Sequence, residues 1–420
     1  MRPVNNEAAF LRSLFDAAVA AADPALTLER HLPEKPRSGR CVVVGGGKAS
    51  ARMAAALERC WPDVRIEGAV AVPAGQDRAG CNRITVLDAS HPKPDERSEQ
   101  AGRRMLELVR GLEPDDLVLA LVSGGGSALL AVPAPGITLE QKSALTSALL
   151  RSGAAIGEIN LVRRQLSAIK NGALAVAAAP ARVVTLLISD IPGDNPADIA
   201  SGPTLPGRGN GADALRVLHH YRIAVPEAVR ALLDRMTGAA TDLPDSDIRM
   251  LATPFASLEA AASRARAGGI TPIVLGDALE GESRELGRLL AGIARSVREH
   301  GAPLPAPCVL LSGGETTVSI GDGPAGRGGR NTEAALAFAL SAPSGCWALM
   351  ADTDGIDGDS DAAGAIVRPD TLRRAAGIGL DPHALLTGHD SNRFFDALGD
   401  LVRTGPTGTN VNDFRAVLVP

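Results

Sequence analysis

Several stretches of this chain set glycines beside charged or hydroxylated residues at the ends of apolar runs, a pattern suited to holding oxyanions. The first is GGGKAS at 45–50, after the run VVV at 42–44. Gly46 and Gly47 let the backbone approach an anion, and Lys48 adds a mobile positive charge at the start of an Ala-rich helix. The spacing is not that of a P-loop, which needs Gly where Val42 sits and Ser or Thr where Ala49 sits. Gly45 and Gly47 begin a dinucleotide fingerprint, but Ser50 occupies the third glycine position. A tight strand-to-helix turn with a surface lysine fits the same residues equally well. The second stretch is SGGGSA at 123–128, whose Ser123, Gly124, Gly125, Gly126 and Ser127 follow an apolar strand and suit phosphate oxygens. It is not a nucleophile elbow, because Leu129 stands where the closing glycine would be.

Acids appear at comparable places. SDIPGD at 189–194 puts Asp190 and Asp194 just past a strand, suited to a divalent cation or to a hydroxyl proton, and equally to a Pro-Gly turn. In the second half, SGGETT at 312–317 offers Gly313, Gly314, Glu315 and Thr316, and GRGGRNTE at 326–333 sets Arg327 and Arg330 among glycines where a helix opens. ADTDGIDGDSD at 351–361 holds a group of acids that includes Asp354 and Asp357. It starts like a calcium loop but lacks the preceding helix and the closing Glu of an EF-hand. A metal–phosphate site and a solvated acidic turn remain open for it. GPTGTNVND at 405–413 reads as a polar lining that includes Asn412. The seven histidines are scattered and no Ser/His/Asp order stands out, whereas phosphoryl transfer needs chiefly cations and positioning.

The elements that must position these loops are strands and helices in alternation. Strand-like runs lie at 41–44, 68–72, 84–88, 117–122, 183–189, 270–275, 309–311, 347–351 and 415–419. Helical patterns lie between them at 96–110, 139–151 and 283–298. Many of the runs are apolar on both faces, as in a parallel sheet covered by helices, so an α/β fold is expected. The turn-rich stretch 207–247 places a domain boundary near residue 245. The pieces LVSGGGSALL and LLSGGETTVSI suggest two halves that each offer a glycine turn. Length agrees with two or three domains.

The net charge of −5 and the absence of a dense basic run argue against nucleic acid or an anionic membrane as partner. Five scattered cysteines without a CxxC fit reduced thiols in a cytoplasm. The N-terminal stretch carries Glu7 and Asp16 within an amphipathic pattern of Phe10, Leu11, Leu14, Phe15 and Val19, so it reads as a helix and not a signal peptide. No apolar run has the length of a membrane span.

These stretches, together with HPKPDERS (91–98), LVRRQLSAIKNGALA (161–175), SDIPGDNPADIASGPT (189–204) and DAAGAIV (361–367), resemble in the same order the class II glycerate kinases, whose C-terminal part is called MOFRL. The resemblance implies two α/β domains. One is a Rossmann-like N-terminal domain with a mostly parallel sheet (1–245). The other is a smaller MOFRL domain (246–420), with the active site in the cleft between them. It implies phosphorylation of D-glycerate by ATP, most often at the 2-hydroxyl, with Mg²⁺ or another divalent cation. Lys48, Arg327 and Arg330 become its charged core, and Arg164, Asp190 and Asn412 its lining. Asn171 departs from the Gly common in the family, and Thr332 from Gln.

On that reading glycerate sits by Gly46, Gly47, Lys48 and Arg164, and ATP phosphates lie along 123–127 and 313–316. Asp354 and Asp357 hold the metal, Asp190 takes the hydroxyl proton, and domain closure excludes water. A homodimer is possible. The competing expectations are an NAD(P)H-dependent hydroxypyruvate reductase and a non-catalytic sensor of phosphorylated ligands.

Overall fold

The computed structural model describes residues 6–236, 247–321 and 325–420, and the chain divides into two compact units, residues 24–251 and residues 1–23 with 252–420. The boundary expected at residue 245 lies outside the described residues. The first helix, Glu7–Ala21, belongs to the second unit, although its sequence position had placed it in the first.

In the unit 24–251 the strands are β1 (Cys41–Gly46), β2 (Ile66–Pro73), β3 (Ile84–Ala89), β4 (Leu117–Val122), β5 (Arg182–Ile188) and β6 (Asp247–Ala252). Their order is β3-β2-β1-β4-β5-β6, and the pairs β3–β2, β2–β1, β1–β4 and β4–β5 are parallel. β1 and β4 are buried along their whole length, as strands covered by helices on both faces must be. The chain runs outward from β1 in one direction to β2 and β3, then returns to β4 on the other side. The order therefore reverses between β1 and β4. At such a switch point the connections leave in opposite directions, and a crevice opens beyond the carboxyl ends of the two strands. GGGKAS leaves β1 there, and SGGGS leaves β4.

The second unit carries β7 (Thr271–Gly276), β8 (Gly281–Glu282), β9 (Cys308–Gly314), β10 (Thr316–Thr317), β11 (Trp347–Asp352), β12 (Gly364–Val367), β13 (Leu401–Val402) and β14 (Asp413–Val419). Six of them form a sheet in the order β13-β12-β11-β14-β9-β7. Only β7 and β9 are parallel; the other pairs are antiparallel. The mostly parallel sheet is thus confined to the first unit, and the second carries a mixed sheet. A strand apolar on both faces reports that both faces are covered, not which way its neighbour runs. On β9, Val309 and Leu311 join one core with Leu11, Phe15 and Ala261, while Cys308 and Leu310 join another with Leu290, Phe338 and Phe394. Among the described residues no helix is long and apolar enough to cross a membrane.

The N-terminal helix is fixed to this sheet by Phe15, whose ring meets Phe414 of β14 edge-on at 5.8 Å between centroids. Phe15→Ala leaves a buried gap there, and the second unit should lose about 3–5 kcal/mol of stability. Urea denaturation followed through Trp347 fluorescence, in a Trp61→Phe background, measures it. An unchanged midpoint would mean that the helix is not part of that core.

Candidate active-site loops

The turn after β1 is closed on itself. Gly47 N–H donates to Ala71 O (3.0 Å), Lys48 N–H to Gly124 O (2.8 Å), and Ala49 N–H to Ser123 Oγ (3.0 Å). Gly45 and Gly47 hold positive φ of 154° and 150°, and a Cβ on Gly47 would fall 2.1 Å from Ser123 Oγ. These glycines are needed so that the turns of β1 and β4 can touch. Gly46 and Gly47 were expected to present backbone to an anion; instead their turn is spent on joining the two strand ends, and Lys48 contributes its side chain.

The loop 123–127 gathers the chemistry. A Cβ on Gly124 would lie 1.7 Å from Asp190 Oδ2, and one on Gly125 would lie 3.2 Å from the His91 ring and 3.6 Å from Lys48 Cγ. Lys48, His91 and Asp190 therefore converge on two glycines that have no side chain to keep them away. Gly126 fits against Gly46 O and Ala200, and Ser127 Oγ shares a 2.6 Å hydrogen bond with Ser201 Oγ. The segment opposite is strained: Ala200 and Ser201 have φ of 51° and 62°. Such left-handed residues cost of order 1–3 kcal/mol each and tend to occur where function fixes the backbone. Asn171 is also left-handed (φ 58°) and accepts Gly207 N–H at 2.8 Å, so the departure from Gly is one that Asn tolerates.

Arg164 is not exposed to a ligand. It is 4% exposed, pairs with Asp198 at 2.5 Å and packs on Gly207. The residue expected in the substrate lining is thus engaged in an ion pair. The sequence reading also missed His91, although the HPKPDERS stretch was noticed.

In the second unit the two arginines differ. Arg330 is bound by three carboxylates: Nε to Asp413 (2.7 Å), Nη1 to Glu315 (2.6 Å) and Nη2 to Asp352 (2.7 Å). Burial alone would lower its pKa, but Asp413, Asp352 and Glu315 outweigh burial and raise it. Behind it Arg415, 1% exposed, pairs with Asp413 at 2.5 Å; burial lowers its pKa and Asp413 opposes that. Asp352 is pushed well above the carboxylate range, first by burial and then by Asp354 and Asp413. Arg327 is different. Its side chain is 54% exposed and, among the described residues, is held by Asp361 at 3.2 Å and Asp359 O at 3.3 Å.

Asp357 was expected to bind metal, but it caps a helix. Its Oδ1 accepts Asn331 N–H (2.8 Å) and Asn331 Nδ2–H (3.3 Å), and its Oδ2 accepts Thr332 N–H and Thr332 Oγ1–H (both 2.8 Å). Those donors open the helix Arg330–Ser341, where backbone N–H groups lack intrahelical partners. Burial pushes the carboxyl up to about 6 against these hydrogen bonds. With both oxygens engaged, Asp357 has no position left for a cation. A Cβ on Gly329 would lie 2.4 Å from this carboxylate, so that glycine serves the cap. Asp354 remains, its Oδ1 accepting Ile356 N–H at 2.9 Å. Among the described residues no three His, Cys, Asp or Glu side chains group to hold a metal.

Gly313 and Gly314 end β9 rather than forming a phosphate loop. A Cβ on Gly314 would strike Leu279 N at 2.2 Å, and Thr316 continues into β10, its Oγ1 accepting from Ser283 at 2.9 Å. Asn412, left-handed at φ 65°, gives its carbonyl to Thr353 Oγ1–H at 2.7 Å.

Fold and loops define a two-part α/β protein. Residues 10–234 match a domain of unknown function, DUF4147, and residues 308–413 match the MOFRL family. A Thermotoga maritima protein named D-glycerate 2-kinase is 40% identical, covering 96% of each chain. The crystal structure of a glycerate kinase from Thermotoga maritima superposes with TM-score 0.90 at 37% identity, covering 99% of this chain and 100% of that one. An Agrobacterium vitis protein printed as "Putative hydroxypyruvate reductase" is 55% identical over 97% of this chain and 94% of its own length. The chain belongs to the glycerate 2-kinase family of DUF4147–MOFRL proteins.

The capping role of Asp357 is open to test. Asp357→Ala strands the first-turn donors of the helix and should cost on the order of 2 kcal/mol in chemical denaturation. A metal ligand would instead leave stability nearly unchanged and shift only the divalent-cation dependence of any activity.

Proposed function

We propose that the protein is a glycerate kinase that transfers the γ-phosphoryl of ATP to the 2-hydroxyl of D-glycerate, releasing ADP and 2-phosphoglycerate. The observation that carries this reading is the meeting of Lys48, His91 and Asp190 on Gly124 and Gly125 at the switch point of the parallel sheet. Asp190 is a carboxylate suited to orient the attacking hydroxyl and take its proton as the new P–O bond forms and the bond to ADP breaks. Lys48 offsets the negative charge of the bound oxyanions. In the second unit Arg327 is an exposed guanidinium of a kind suited to a phosphoryl group. Arg330, tied to three carboxylates, is a positioning residue that keeps Asp352 and Asp413 in place. Asp354 is the carboxylate that would help hold a divalent cation, which would supply positive charge to the phosphates. The five free thiols accord with a reducing cytoplasm.

The reductase reading has the name of the Agrobacterium vitis relative in its favour. Against it stands the turn after β1. A dinucleotide fingerprint needs backbone N–H groups aimed at a pyrophosphate, and here those of Gly47, Lys48 and Ala49 are used by Ala71, Gly124 and Ser123.

Coupled measurement of ADP release with D-glycerate and other hydroxy-acids tests the kinase, and phosphorus NMR of the product identifies the hydroxyl. Lys48→Ala and Asp190→Asn should each lower kcat by roughly 10²–10⁴-fold. Arg327→Ala should lower kcat with stability intact, whereas Arg330→Ala should also destabilise the unit. Oxidation of NADH by hydroxypyruvate without ATP would reverse the assignment.

A further inference from the structure

Three cations of the unit 24–251 are buried or half-buried together, and among the described residues none of them has a carboxylate partner. Lys142 lies on the helix Leu139–Arg151, on the same face as Leu145 and Leu149. It is 5% exposed, and its Nζ is enclosed with no hydrogen-bond partner. Arg163, on the helix Ile156–Gln165, donates to Asn160 Oδ1 at the long distance of 3.4 Å. Lys170, 1% exposed, donates to the carbonyls of Ser127 (2.9 Å) and Ala200 (3.3 Å), directly behind the loop 123–127.

The electrostatics agree with that placement. Burial pushes the Lys142 amine down to about 7, Arg163 adds to the effect and Glu99 opposes it. Burial lowers Lys170 well below the usual lysine range, with Lys142 and Arg163 contributing. Burial also lowers Arg163. Among the described residues the acid that acts on Lys142 is Glu99, and its carboxylate is already paired with Arg103 at 2.6 Å. An enclosed ammonium without a partner costs several kcal/mol. Apolar side chains of similar length would fill the face of Leu145 and Leu149 without that cost. Three such groups from three chain segments, one of them bonded to the loop 123–127, make sense when a negative ligand arrives.

We infer that Lys142, Arg163 and Lys170 form an anion subsite beside the loop 123–127, taking an oxyanion of a substrate. Under the kinase reading that oxyanion is either the carboxylate of the hydroxy-acid or a phosphate of the nucleotide. The existence of the subsite does not depend on that reading.

Calorimetry on the intact protein, with inorganic phosphate, D-glycerate and a non-hydrolysable ATP analogue as separate probes, tests it. At least one probe should bind the native protein saturably and bind Lys142→Met about tenfold or more weakly, the loss expected for one charged hydrogen bond. The half-buried Arg163→Gln should repeat the loss. Without ligand, Lys142→Met should melt no lower than the native protein, because an uncompensated buried charge has been removed. A tenfold rise in KM for glycerate alone assigns the carboxylate to the subsite; a rise for ATP alone assigns a phosphate. The inference is overturned if both variants bind every probe as the native protein does, or if ligand-free Lys142→Met melts several degrees lower, the behaviour of a structural strut. If the native protein shows no kinase turnover, the calorimetry with phosphate still decides the subsite.

Discussion

The closeness of two backbone turns governs the first unit. β1 and β4 run parallel and in register to their last residues, and the turns beyond them touch so tightly that a Cβ on Gly47 would overlap Ser123. Nothing larger than glycine fits at 47, 124 or 126 without displacing Ser123, Asp190 or the carbonyl of Gly46. Lys48 follows the first turn directly and Asp190 follows β5, the next strand over. Their convergence is thus a consequence of strand order, and the missing side chains of Gly124 and Gly125 provide the space in which they meet. In bringing the two turns together the glycines act by being small.

The second unit solves a different problem. Asp352, Asp357 and Asp413 are buried within one stretch of structure, and burial drives carboxyl groups toward their neutral forms. The unit sets two arginines and a helix start against that tendency. Arg415 and Arg330 flank Asp413, Arg330 reaches on to Asp352, and the first turn of the helix Arg330–Ser341 takes Asp357. The result is a rigid acidic patch held by cations that are not themselves available. Removing one partner of such a network leaves an uncompensated charge, which costs more than the pair contributes.

Much of this was legible in the sequence, and the failures share a cause. The strand ends and the two glycine turns after β1 and β4 follow from residue type and order. Sequence could not tell a charge that faces a ligand from one that faces another side chain. Arg164 and Arg163 are adjacent and identical in type, yet the first is tied to Asp198 and the second is not. Asp357 read as a metal ligand because an acid near glycines looks the same whether a cation or a helix start lies opposite it. The direction of β11 and β14 was hidden because apolar alternation is the same in parallel and antiparallel neighbours once both faces are covered. Lys142 is the opposite case. A lysine three and seven residues before Leu145 and Leu149 sits on the apolar face of its helix, and that signal was readable.

Cations that are held and cations that can move serve different ends in phosphoryl transfer. Lys170, fixed by two carbonyls, and Arg330, fixed by three carboxylates, cannot follow a charge that shifts from one oxygen to another as a bond breaks. A cation held in this way can only preset the field of a site beside it, at no cost of reorganisation. Arg327, half exposed and weakly paired at 3.2 Å, can leave Asp361 at small cost, since surface pairs of this kind contribute about 0–1 kcal/mol. Lys48 sits on a closed turn, so its backbone is set while its four-carbon stem still gives the ammonium reach. A site needing both kinds of charge would place the fixed ones where the ground-state anions rest and the mobile ones where charge develops. Within the first unit Lys142 and Lys170 are buried while Lys48 extends from its turn, and within the second Arg330 is tied to carboxylates while Arg327 is exposed.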